Sequence, residues 1–122
     1  MENCRVHTFM AIDPVSHKDC IWDDVVRMRT LNSRQSQRNL QMHICPLQLD
    51  LVERLIERYS NEGEVVFDPF GGIGTVPYCA IRKRRFGLAT ELNHDYWRDG
   101  LSYLREAENA ITAPTLFDLM GA

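Results

Sequence analysis

The periodicities along this chain predict an α/β fold of the doubly wound, Rossmann-like kind, with only part of its sheet present. Apolar spacing switches from helical to extended and back, giving the order helix, strand, helix, strand, helix. A glycine-rich loop, Asp68-Pro69-Phe70-Gly71-Gly72-Ile73-Gly74-Thr75, stands where the first strand should pass into the second helix. An acidic residue, Glu91, stands at the end of the next strand.

Each element has its own warrant. Residues 1–42 show no repeat and no long period; Asp13-Pro14 marks a turn, and Trp22 to Met28 reads as a short helix. From Pro46, the residues Leu47, Leu51, Val52, Leu55, Ile56 and Tyr59 recur at three- to four-residue steps. Asp50, Glu53, Arg54, Glu57 and Arg58 lie opposite them, so this is an amphipathic helix with proline in its first turn and an end near Asn61-Glu62-Gly63. Glu64 to Phe67 is short and rich in β-branched and aromatic residues, and the glycine loop breaks it at once. Val76 to Lys83 should form a second helix, with the cations Arg82, Lys83, Arg84 and Arg85 complementing its dipole. Phe86 to Leu92 reads as a second buried strand, and Asn93 as the N-cap of a helix running to about Ala110. The tail from Thr112 to Ala122 holds Leu116, Phe117, Leu119 and Met120 and is expected to dock on the domain.

With 122 residues, 44% of them hydrophobic and 25% charged, the chain fits one globular domain. No run of about 18 apolar residues is present to span a bilayer, and no apolar segment follows the first residues as in a signal peptide, so a cytoplasmic location is expected. A formal charge of -3 argues against a surface that tracks nucleic acid everywhere. Between Asp24 and Asp50 there is no acid, however, while Arg27, Arg29, Arg34 and Arg38 fall there among asparagines and glutamines. That stretch can face DNA phosphates and base edges, or be a solvated connection. Cys4-x2-His7 and His17-x2-Cys20 form two pairs at zinc-knuckle spacing, but the residues between them read equally well as a strand and turn, so no metal site is assigned.

A glycine loop between strand and helix lets backbone N–H groups approach a polar ligand closely. This loop lacks the Gly-Lys-Ser/Thr of a phosphate-binding P-loop, and the third glycine of a dinucleotide site would fall at Pro77. Asp68 at its mouth would repel a pyrophosphate but suits a cationic ligand carrying an ammonium and a sulfonium. Glu91, about 20 residues on, stands where α/β cofactor folds hold ribose hydroxyls. Taken singly, Asp68 could be only a helix cap and Glu91 only a strand-end charge.

These residues resemble a known family. Asp68 to Thr75 looks like the Asp-Pro-Phe-x-Gly-x-Gly-Thr loop of the N6-adenine/N4-cytosine DNA amino-methyltransferases, and Gly87 to Tyr96 looks like their Gly-x-Glu-Leu-Asn-x-x-Tyr strand end. His43-Ile-Cys-Pro46-Leu-Gln48 resembles the motif that precedes the glycine loop in the β-ordered subgroup, and the match, over roughly residues 20 to 119, is most similar to phage-type enzymes. The resemblance implies an S-adenosylmethionine-dependent methyltransferase fold with S-adenosyl-L-methionine as cofactor and DNA as partner. It places Asp68, Phe70, Gly72, Gly74 and Thr75 around the methionine part and Glu91 on the ribose. His43 and Pro46 would form the far wall, His43 either as a direct contact or as a fixer of the loop. Cys45 and Cys79 read as packing residues, because methyl transfer to an amine needs no covalent enzyme intermediate.

The sequence departs from the family in one respect. These enzymes hold a flipped base with an Asp/Asn/Ser-Pro-Pro-Tyr/Phe loop, and no Pro-Pro occurs in this chain. No catalytic residue is therefore assigned. The expected organisation is residues 1–42 as an upstream, DNA-facing remnant, 43–111 as the cofactor-binding part and 112–122 as the docking tail. Three functions fit. The chain is part of a truncated or split DNA methyltransferase whose catalytic half is lost or supplied by another chain, a non-enzymatic module that binds cofactor or DNA or assembles with an intact methyltransferase, or a methyltransferase acting on RNA or protein.

Overall fold

The structure, a computed structural model, describes residues 22, 24–31 and 47–114. Its elements are helix α1 (Leu49–Tyr59), strand β1 (Val65–Asp68), helix α2 (Thr75–Arg82), strand β2 (Phe86–Ala89) and helix α3 (His94–Thr112). The alternation read from the sequence holds. The two strands are parallel, with Val65 opposite Phe86 and Asp68 opposite Ala89, and α2 is the crossover between them.

Helix α2 is central, touching both strands, α1 and α3. Its approach to the sheet is set by Gly87: a Cβ there would stand 2.6 Å from the Cα and carbonyl oxygen of Pro77. Ala80, Cys79 and Tyr78 of α2 are buried with Val52 and Ile56 of α1 and with Tyr103 and Ala107 of α3. The strands alternate accordingly. Val66, Gly87 and Ala89 turn toward α2, whereas Val65, Phe67, Phe86 and Leu88 are between 54% and 67% exposed on the other face, which no described element covers.

Helix α1 begins at Leu49, not near Pro46, and Leu49, Val52 and Ile56 are its buried residues. Of the wider stripe read from the sequence, Leu47, Leu55 and Tyr59 stay exposed, because α2 meets only the Val52–Ile56 edge. The opposite, charged face is not simply solvated. Arg54 makes a two-pronged bond to Asp24, at 2.8 and 2.7 Å, Asp50 and Glu53 receive Arg29, and Glu57 receives Lys83.

Those pairs explain the one element that sequence reading misassigned. Trp22 and residues 24–31 form no helix; they are irregular, with a turn at Arg27-Met28. The Val26 amide donates to Asp50 at 2.9 Å and the Leu49 amide to the Arg29 carbonyl at 2.9 Å, so partners on α1 take groups that a local helix would have used. Leu31 then reaches the core at 1% exposure.

The Arg54 hydrogen bond holds the Asp24 carboxyl below its ordinary value of 3.8. Burial pushes the Asp50 carboxyl up, but the Val26 amide and Arg29 outweigh it and the net is also downward. A depressed carboxyl stabilises the fold above its unfolded value and ceases to as pH falls through the folded one. The 22–31 segment should therefore stay clasped to α1 down through pH 3.8 and release below it. Trp22 lies under the Arg54 guanidinium, 4.9 Å from its ring centre, and reports this release. In a Trp97→Phe background, Trp22 emission should be constant from pH 7 to 4 and change below that range, whereas Asp24→Asn should show the released emission already at pH 7.

The basic run at the end of α2 divides by role. Lys83 pairs with Glu57, and Arg82 donates to the Tyr78 hydroxyl at 3.1 Å. Arg84 takes a left-handed turn, with φ 61°. Arg85, 6% exposed, donates to the Ser60 carbonyl at 2.7 Å, the Lys83 carbonyl at 2.6 Å and the Ser60 hydroxyl at 3.2 Å. It ties the end of α1 to the start of β2, a role beyond the dipole argument read from the sequence.

Candidate cofactor site at the carboxyl ends of the strands

Parallel strands joined by a crossover helix present their carboxyl ends on one side, the side on which open α/β sheets bind ligands. Asp68, the last residue of β1, is half-buried there, and its Oδ1 accepts the Phe70 amide at 2.9 Å, which turns the chain into the glycine loop. Gly74 closes the loop at φ 83°, a left-handed conformation that a side chain rarely tolerates, and caps α2 without a side-chain hydrogen bond. Thr75, 5% exposed, is the first residue of α2. In this first turn Thr75 and Val76 carry amides without intrahelical partners, while Pro77 has no N–H to satisfy.

Strand β2 ends at Ala89, earlier than the sequence suggested. Thr90 is drawn into the loop instead: its carbonyl accepts the Gly71 amide at 2.8 Å and its hydroxyl donates to the Pro69 carbonyl at 2.7 Å. This brings Glu91 against the glycine loop. Glu91 Oε2 accepts the Gly72 amide and Oε1 the Asn93 amide, each at 2.7 Å. Asn93 in turn caps α3 by accepting the amides of Asp95 and Tyr96, at 2.9 and 3.2 Å.

A hollow of about 170 Å³ lies between the loop, β2 and α3, lined among others by Gly72, Gly87, Glu91, Trp97 and Leu101. Of the residues singled out in the sequence, Asp68, Gly72, Gly74, Thr75 and Glu91 are gathered at this end of the sheet, and Phe70 projects from the loop at 87% exposure. His43 and Pro46 lie outside the described residues, as do Arg34, Arg38, Cys4, His7, His17 and Cys20. Among the described residues no group of histidines, cysteines and acids is placed to hold a metal ion. Arg27 is exposed, whereas Arg29 is engaged by Asp50 and Glu53.

Two features escaped the sequence reading. Leu92, read from the sequence as the end of a buried strand, lies beyond β2 directly after Glu91 and is fully exposed. Gly100 in α3 packs on the loop so tightly that a Cβ would stand 3.2 Å from the Ile73 carbonyl oxygen. The signal was available, since glycine inside a helix is unfavourable by about 1 kcal/mol and marks a close approach. Cys79, fully buried in α2, has its thiol pushed up to about 12 by burial, which suits a packing residue and not a nucleophile.

A family model described as DNA methylase, of the N6/N4 methyltransferase type, matches residues 14–102, and the chain belongs to that family. The type II methyltransferase M.MthZI of Methanothermobacter thermautotrophicus is 32% identical over 76 residues, which cover 62% of this chain and 21% of the relative. The complex of M1.HpyAVI with S-adenosylmethionine aligns over 53% of this chain and 34% of that one, at 28% identity and a TM-score of 0.49. The cytosine-N4-specific PvuII DNA methyltransferase aligns over 80% of this chain and 36% of that one, at 17% identity and a TM-score of 0.54, a likeness of fold. The curated relatives are much longer, the matched stretches spanning 12% to 25% of their lengths. No helix among the described residues is long and apolar enough to cross a membrane.

Proposed function

We propose that this chain forms the S-adenosylmethionine-binding portion of a site-specific DNA methyltransferase that modifies the exocyclic amine of adenine or cytosine. The observation that carries the reading is that Asp68 ends β1 and Glu91 follows the end of the adjacent parallel β2, each carboxylate accepting an amide of the glycine loop, Asp68 that of Phe70 and Glu91 that of Gly72. Their chemistry matches the two ends of the cofactor. Asp68 offers an anion to the ammonium and sulfonium, and the open N-terminus of α2 offers amides to the carboxylate. Each Glu91 oxygen already accepts one amide and keeps a second lone pair, so the carboxylate can also take the two ribose hydroxyls. Leu92 and Phe70 supply apolar surface beside it, and His43 and Pro46 complete the far wall.

On this reading residues 43–111 hold the donor, Arg27, Arg34 and Arg38 face DNA in the segment before them, and residues 112–122 dock on the domain. Arg29 serves DNA only if it leaves Asp50 and Glu53. The acceptor base is held by a Pro-Pro-aromatic loop on a polypeptide carrying the catalytic half. The enzyme works on DNA in the cytoplasm, in a restriction-modification or phage setting.

Titration calorimetry with S-adenosylmethionine tests the pocket. Hydrogen bonds to a charged group contribute about 1.5–3 kcal/mol, so Asp68→Ala and Glu91→Ala should each weaken binding at least about ten-fold. Equal affinity in the wild type and both variants would remove the assignment.

A further inference from the structure

Beside β1 the molecule has a groove of about 450 Å³, lined by Leu51, Leu55 and Tyr59 of α1 and by Val65 and Val66 of β1. The groove runs along the edge of β1 that is not paired with β2. The carbonyls of Glu64 and Asp68 accept the amides of Phe86 and Thr90, at 2.9 and 3.1 Å, so they point toward β2. By the alternation of a strand, the backbone groups of Val65 and Phe67 point to the free edge. That edge therefore offers hydrogen bonds to one more strand, above an apolar floor supplied by α1.

We infer that this groove and edge form an assembly surface, and that its occupant is a strand of the polypeptide that carries the remainder of the methyltransferase sheet. The inference rests on the proposed function and names where the two parts meet. Three observations select this occupant. Parallel sheets are buried on both faces and usually hold about four to six strands, whereas among the described residues only β1 and β2 pair, with Val65, Phe67, Phe86 and Leu88 exposed. The bare face adjoins the groove through Val65, so a partner that adds a strand also has the outer face to cover. In the solved methyltransferase of the same fold, 80% of this chain is matched by only 36% of that one, which leaves ample polypeptide to supply both. An extended segment apolar on both sides would have one face on α1 and the other under its own partner's helices.

The test co-expresses the full chain with M.MthZI from which the 76 residues matching this chain have been deleted. The two should co-purify at equal stoichiometry. Val65→Pro removes an edge amide without touching the bonds to Phe86 and Thr90, and Leu55→Arg places a charge in the groove; each should lower recovery at least ten-fold. Glu106→Gln, on the exposed side of α3, should leave it unchanged. Calorimetry with S-adenosylmethionine on the same variants, expected to match the wild type, shows that they fold and keeps the two ideas separate. Loss of cofactor binding by the wild type with co-purification intact would remove the cofactor reading and spare the surface. The surface is overturned if the wild type fails to co-purify or if both groove variants co-purify as well as it does. It is equally overturned if the chain alone sediments as a dimer that Val65→Pro dissociates, since the occupant is then a second copy.

Discussion

Incubated with tritiated S-adenosylmethionine and unmethylated genomic DNA, this chain alone is expected to incorporate no label above a no-protein control. An exocyclic amine conjugated to its ring is a poor nucleophile, and a donor held nearby supplies proximity without the acceptors that localise the lone pair. On the function proposed above, the described residues furnish the donor's side of the reaction. Asp68 and Glu91, the carboxylates at the site, already accept the Phe70, Gly72 and Asn93 amides. Asp24 is bound to Arg54 on the far side of α1, and Asp13-Pro14-Val15 has neither a second proline nor a ring to stack on a base. Incorporation that Asp68→Ala abolishes would show that the acceptor groups lie within these residues after all. Incorporation that appears only with the complementing polypeptide would agree with the assembly proposed above.

The second large effect is on folding. Gly87→Val should leave the chain unable to form its native core, read as loss of cooperative urea unfolding and of the calorimetric response to cofactor. The new side chain would begin 2.6 Å from Pro77 backbone atoms, and backbone in a helix pinned between α1 and α3 cannot give way as a flexible side chain could. Overpacking a tight core costs typically about 1–3 kcal/mol when neighbours can shift. Here β2 would have to leave α2, exposing Tyr78, Cys79 and Ala80, which are now almost fully buried. A native-like unfolding transition in Gly87→Val would mean that α2 and β2 are less closely seated than described. Gly63→Ala is the matching control for steric room, since a Cβ there meets nothing within 4 Å, although its φ of 81° adds local strain.

What was legible in the sequence is what local spacing decides. The periodicity of Val52 and Ile56, the β-branched run before Asp68 and the Asn93 cap fixed three elements to within a few residues, because each is a property of neighbours in the chain. The placing of the Asp68 loop and Glu91 at one end of the sheet was legible because the strand, loop, helix, strand order puts them there. Elements settled by distant partners were not. Trp22 to Met28 read as a helix because nothing nearby reveals that Arg54, 30 residues beyond Asp24, will hold that segment open. Arg85 read as one of four interchangeable cations, and only the arrival of Ser60 from α1 makes it a buried crosspiece. The division of α1 into a packed edge and an open groove likewise depends on where α2 lies, which no spacing within α1 states.

The two amides that Glu91 accepts have a thermodynamic consequence. A loop of glycines would be expected to sample many shapes when empty, and a ligand that had to select one would bind more weakly by the fraction of time that shape is present. Glu91 holds Gly72 from the far side of the hollow, Thr90 holds Gly71, and Asp68 holds Phe70, so the loop is shaped before any ligand arrives. Binding is then a matter of fitting a flexible cofactor to a prepared surface, and the entropy lost falls mainly on the cofactor's own rotatable bonds. The carboxylate proposed to recognise the ligand thus also shapes the unliganded loop.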